Sequence, residues 1–150
     1  MNLDSWSPKV LSLLRFVAGL VFLQHGTQKI LHFPMQPPPP GGGGAARAAA
    51  GAVHAAPSLA AQIGGTLAPF SGWFELVGGI LMVIGLFSRP VAFLLSGEMA
   101  IAYFTFHFPR SPLPILNGGD LAVLFCFIWL YFFFAGPGPL SVDGMMKKKI

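Results

Sequence analysis

The amino-acid sequence predicts an all-α membrane protein, a four-transmembrane-helix bundle with its N- and C-termini on the cytoplasmic side. Three observations predict it. Charged residues fill only 9% of the 150 positions, against about 25% in ordinary soluble domains. Residues of the AVILMFWYC set reach 54% and the mean hydropathy is +0.69, so a chain this short could not clothe its own core in polar surface. Finally, four apolar stretches divide the chain, each near the roughly 20 residues that cross a bilayer core as a helix.

The first stretch, about 10–31, contains Arg15, His25 and Lys29. Arg15 interrupts what would be the apolar region of a cleaved signal peptide, and no small-x-small cleavage site follows closely, so the segment is expected to stay as a span. Residues 34–66 hold Pro37–Pro40, then Gly41–Gly44, then an alanine-rich run. This composition favours a polyproline rod and a glycine hinge over a packed unit. Gly51 and Pro57 argue against any long helix between Ala45 and Ala61, so the whole segment reads as a low-complexity outer loop.

The second stretch, about 67–87, has Glu75 as its sole charge. Ser88-Arg89-Pro90 breaks the helix, because proline lacks the donor that a continuing helix needs, and Pro90 can open the third stretch, about 90–107. Glu98 is the only acid there. Asn117-Gly118-Gly119-Asp120 then reads as a loop whose carboxylate complements the positive end of the fourth stretch, about 118–136. Gly136-Pro137-Gly138-Pro139 closes it, and residues 1–150 read as one domain.

Orientation follows from the basic residues. Lys9, Arg89, Lys147, Lys148 and Lys149 fall on one side of a four-span chain, and Lys29, Arg47 and Arg110 on the other. The first side is expected to face the cytoplasm. The net charge of +4 rests mainly on the terminal lysines. They lack aromatic interleaving, so no nucleic-acid partner is expected; a basic tail beside an apolar span holds orientation against anionic lipid. Cys126 is the only cysteine, which excludes intrachain disulfides and Cys-rich zinc sites. It reads as packing. No histidine pair has metal-ligand spacing, so no metal is expected.

Ionisable groups inside spans are costly and therefore functional candidates. Arg15, Gly19, Phe22, Gly26 and Lys29 lie on one helical stripe, flanked by His25. Gly72, Glu75, Gly79 and Met82 form a second stripe, whose small residues suit a close helix–helix seam. Glu98 lies with Ala102 and Thr105 on a third. Rise per residue puts His25 and Glu75 at similar depth and brings Arg15 within reach of Glu98, so an Arg15–Glu98 ion pair is expected. With Lys29, His107, Asn117 and Asp120 these residues form a polar cluster biased to the outer half of the bundle. Structural roles stand beside the functional ones. Arg15 with an acid is helix glue, Lys29 and His107 can snorkel to the interface, and Asp120 suits a helix N-terminus. His25 beside Glu75 fits either structural pairing or proton and ligand handling.

The order of several blocks resembles the DoxX family of small membrane proteins. They are Leu14-Arg15-Phe16 through Phe22, His25-Gly26-Thr27-Gln28-Lys29, Phe74-Glu75-Leu76-Val77-Gly78-Gly79, and Gly85-Leu86-Phe87-Ser88-Arg89-Pro90. Gly97-Glu98-Met99-Ala100 follows with His107, then Asn117-Gly118-Gly119-Asp120 and Gly136 through Asp143. The resemblance implies a four-helix, multi-pass protein of the bacterial inner membrane. The family takes its name from a small subunit of an archaeal thiosulfate:quinone oxidoreductase. By that likeness the chain is expected to be a non-catalytic accessory subunit of a redox or quinone-linked membrane complex. Quinone is the one cofactor the resemblance suggests, and subunits of such a complex are the partners beyond the lipid bilayer. The sequence carries no haem, flavin or iron–sulfur signature. It leaves two other readings open: a small transporter or permease that works as a homo-oligomer, and a non-catalytic membrane assembly protein.

Overall fold

A computed structural model describes residues 3–35 and 59–147. Most of the low-complexity loop, with Arg47 and His54, lies outside the described residues, as do Lys148 and Lys149. The regular elements of the described residues are all helical, with no strand among them. A 3-10 turn, Leu3–Ser5, leads into α1, Ser7–Leu31. Next come α2, Leu59–Ile84, and α3, Ser88–Ala102, which continues as a π-helical turn over Tyr103–His107. The short α4, Pro114–Asn117, precedes α5, Asp120–Ala135, and α6, Val142–Lys147, ends the described chain. The loop expected up to residue 66 is therefore shorter than its composition suggests: α2 starts at Leu59. Ala60, Ala61 and Leu67 are strong helix formers, and the helix runs through Pro69.

Two antiparallel helix pairs, α1 with α2 and α3 with α5, join along the α2–α3 seam. The first pair is backbone against backbone. Ser12, Arg15, Gly19, Phe22 and Gly26 are buried at steps of three and four along α1. Gly26 lies so close to α2 that a Cβ there would come within 2.3 Å of the Leu76 amide nitrogen. Glycine at such a seam removes the side chain that would hold the helices apart. In the second pair, Ser96 Oγ donates to the Cys126 carbonyl at 2.8 Å, and the Phe93 and Phe133 rings meet at 5.2 Å. Phe22 bridges the pairs, packing edge-on to Phe125 at 5.4 Å and Trp129 at 5.3 Å.

The bundle end that carries the start of α1 and the last described residues is held by crossed helix caps. Arg15 is 2% exposed. Its guanidinium donates to the Met82 and Val83 carbonyls at the end of α2, and to Pro137 and Leu140 after α5. Arg89, at the start of α3, donates to the last carbonyls of α5, Phe133 at 2.7 Å and Phe134 at 2.8 Å. Asp143 accepts from the Phe87 and Ser88 amides at 2.9 and 2.8 Å, and so caps α3 from the far end of the chain. Positive groups thus sit on two helix C-termini and a carboxylate on a helix N-terminus, each the favoured sign for the helix dipole. Gly85, with φ +72°, packs beneath the Arg15 guanidinium. Only glycine accepts that conformation at no steric cost, and a Cβ would also collide with the arginine.

The expected Arg15–Glu98 pair does not form. Arg15 finds its negative charge in backbone carbonyls at this end, while Glu98 lies near Ser71, Glu75 and Lys29. The expectation required a carboxylate partner; aligned carbonyls at a helix terminus satisfy the same need.

Among the described residues, α1 is the one helix long and apolar enough by itself to cross a membrane, and Phe70–Ile84 and Asp120–Ala135 are shorter apolar helical segments. The outward faces of all four long helices are apolar, exposing Phe16 and Val17 on α1, Trp73 and Val77 on α2, Phe93 and Leu94 on α3, and Leu124 and Phe127 on α5.

Candidate ligand cavity at the Lys29 end

At the opposite end of the bundle residues of α1, α2, α3 and α5 line a cavity of about 400 Å³. Its walls are apolar: Phe22, Met99, Phe106, Leu121, Ala122 and Phe125. Its polar groups are His25, Lys29, Ser71, Glu75 and His107. Lys29 Nζ pairs with Glu75 Oε1 at 2.7 Å and donates to Ser71 Oγ at 2.9 Å. The lysine side chain is 40% exposed and the glutamate 4%. The carboxylate is therefore the interior partner, and the lysine reaches in from the rim. Glu75 Oε2 is buried and makes no hydrogen bond among the described residues.

His25 and His107 approach from different helices. His25 Nδ1 lies 2.9 Å from the Val21 carbonyl of its own helix. His107 Nδ1 lies 3.2 Å from the Asn117 carbonyl, and its ring stacks on Tyr103 at 6.3 Å. The π-helical turn explains how α3 presents both Phe106 and His107 to the cavity. Its i to i+5 bond, Phe108 N–H to the Tyr103 carbonyl at 2.9 Å, accommodates one extra residue in the turn, a feature frequent at functional sites.

The expected polar cluster thus separates. His25, Lys29, Glu75 and His107 line this cavity, and Arg15 belongs to the opposite end. Glu98 lines a neighbouring cavity of about 330 Å³ between α2 and α3, which shares Ser71, Ala102 and Phe106 with the first. Both Glu98 oxygens are buried, and Ser71 is the hydroxyl that approaches them, without a hydrogen bond of good geometry. Asn117 is structural. Its side chain donates to the Ser111 carbonyl at 2.7 Å and accepts from the Gly119 amide at 2.7 Å, holding the turn into α5. Asp120 is exposed in the first turn of α5 and lines neither cavity. Ser71, absent from the expected cluster, links the Lys29–Glu75 pair to the second cavity. Its signal was its position one helical turn before Glu75. Among the described residues no three His, Cys, Asp or Glu groups gather as metal ligands.

Comparison with known proteins adds a decisive match: the DoxX family profile fits residues 10–108, which run from the first turn of α1 through Phe108. The chain belongs to the DoxX family. It is accordingly a membrane protein. The profile match encloses every polar group of the cavity and ends before Asn117. A protein of Haemophilus influenzae described as uncharacterized is 38% identical over 151 residues, covering 99% of this DoxX chain and 98% of the relative. No solved structure matches the chain.

Proposed function

We propose that this DoxX protein spans the bacterial inner membrane four times, through α1, α2, α3 and α5, with both termini in the cytoplasm. We further propose that it serves a redox membrane complex as an accessory subunit by holding a quinone-class ring in the Lys29-end cavity. The observation that carries this reading is the make-up of that cavity. A ring compound soluble in lipid needs apolar, aromatic walls and a few placed polar groups for its oxygens, and Phe22, Phe106 and Phe125 line the cavity together with Lys29, Glu75 and the two histidines. The volume of about 400 Å³ lies within the usual range for ligand pockets. The apolar outward faces of all four long helices support the multi-pass arrangement, because a soluble monomer rarely exposes so much contiguous apolar surface. The ring would bring the redox chemistry; the chain's own residues would bind it, orient it and keep water from it.

Trp129 provides the test. It stacks on the cavity residue Phe125 at 5.8 Å, and the exposed Trp6 and Trp73 can be replaced by Phe, leaving one reporter. Short-chain ubiquinone and its quinol, titrated into the detergent-purified protein, should quench Trp129 saturably, and Ala102→Phe, which fills the cavity, should abolish the effect. Quenching that never saturates, together with purification free of any redox partner from mild detergent, would count decisively against the proposal.

A further inference from the structure

The hydrogen-bonding groups of the cavity are unequal in kind, and the inequality selects among ligands. A carbonyl oxygen can only accept, so the Nδ1 atoms of His25 and His107, bound to the Val21 and Asn117 carbonyls, are the donors in those bonds. In the neutral imidazole the other nitrogen then carries no proton and is an acceptor. Glu75 Oε2 is a third acceptor, buried and without a donor among the described residues. Against these stands one ammonium, whose three N–H groups already serve Glu75 Oε1 and Ser71. One N–H of Lys29 remains. Ser71 Oγ accepts from Lys29, and its own hydroxyl proton is directed to Glu98, away from this cavity. The cavity side chains therefore present three acceptors and a single donor to whatever enters it.

Resting on the quinone-class reading above, we infer that the cavity is built for the reduced, hydroxyl-bearing form of the ring, the quinol. A hydroxyl can donate to Glu75 Oε2 and accept from Lys29 at the same point, satisfying both halves of the ion pair. The second hydroxyl, across the ring, can donate to the free ring nitrogen of His107, which comes from α3 rather than from the two helices of the ion pair. A quinone offers carbonyl oxygens at both places. It can use the remaining lysine N–H, but elsewhere it sets lone pair against lone pair and leaves Glu75 Oε2 unsatisfied. An unmet buried acceptor is expensive, and a bond to a charged one is among the stronger hydrogen bonds.

The experiment compares three ligands on the full chain in detergent under anaerobic conditions by isothermal titration calorimetry. They are a short-chain ubiquinol, the matching ubiquinone, and the dimethyl ether of the quinol, which keeps the ring and its oxygens but has no donor. The quinol should bind about tenfold or more tightly than either of the others, the usual worth of a hydrogen bond to a buried carboxylate. Glu75→Gln, whose amide can donate to a carbonyl, should narrow or invert the preference. The wild-type comparison decides the matter even if that variant fails to fold. Equal or tighter binding of the quinone or the ether would overturn the inference and leave the quinone-class reading standing. No binding of any of the three would overturn both.

Discussion

At the scale of single residues, two charges that the sequence presents alike come to opposite ends in the structure. Arg15 and Glu98 are both ionisable groups in apolar helices, yet Arg15 is held by four backbone carbonyls while Glu98 has only the Ser71 hydroxyl near its buried oxygens. Their replacements should therefore differ in sign. Arg15→Met strands the Met82, Val83 and Leu140 carbonyls and should lower stability by about 3 kcal/mol, the order expected when a buried charged partner is removed. Glu98→Met removes a buried carboxylate whose one approaching donor is the Ser71 hydroxyl and should be neutral or stabilising. Thermal unfolding of the two variants in one detergent checks both; a destabilised Glu98→Met beside an unaffected Arg15→Met would reverse the assignment of roles. The sequence made the burial of these charges legible through their place in apolar runs. It did not disclose the partner of Arg15, because backbone carbonyls are available everywhere and only folding decides which ones are left open.

At the scale of elements, the α1–α2 seam was the most readable part of the molecule. Gly19, Gly26 and Lys29 on one stripe, and Gly72, Glu75 and Gly79 on another, meet across it. Small residues at three- and four-residue steps announce a close helix approach without tertiary information. Gly26→Ala tests it: the added methyl falls within 2.3 Å of the Leu76 nitrogen, and a backbone atom cannot swing aside as a side chain would. The variant should lose several degrees of thermal stability and disturb the Lys29–Glu75 pair one turn away, seen as loss of ligand-dependent Trp129 quenching. Unchanged melting would mean that the two helices are less closely apposed. The start of α2 was less legible, because an alanine-rich stretch next to proline and glycine runs has the composition of a loop and the propensity of a helix at once. The π-helical turn at Tyr103–His107 had no sequence signal, since its i to i+5 bond involves only backbone atoms.

At the scale of the whole molecule, the fold sorts its polar chemistry by end: caps at one, the cavity at the other. The proposed topology makes the cavity end external. A cysteine at Ser111, beyond the π-helical turn, should react with an impermeant maleimide added to intact cells, in a Cys126→Ser background. One at Met145, in α6, should react only after the membrane is opened. The reverse pattern would invert the orientation. The crossed caps also carry a message about time. Leu140 and Asp143, among the last residues described, complete the ends of α2 and α3, helices laid down long before them in the chain. A ribosome making this protein will have delivered all four long helices before the carbonyl of Leu140 and the carboxylate of Asp143 leave the exit tunnel. Until then the Arg15 charge lacks part of its neutralising shell and the first amides of α3 stand open. Closure of the bundle therefore waits for the segment after α5, and a chain that stops short of it carries in its own unfinished helix ends the mark by which a membrane protease can distinguish it.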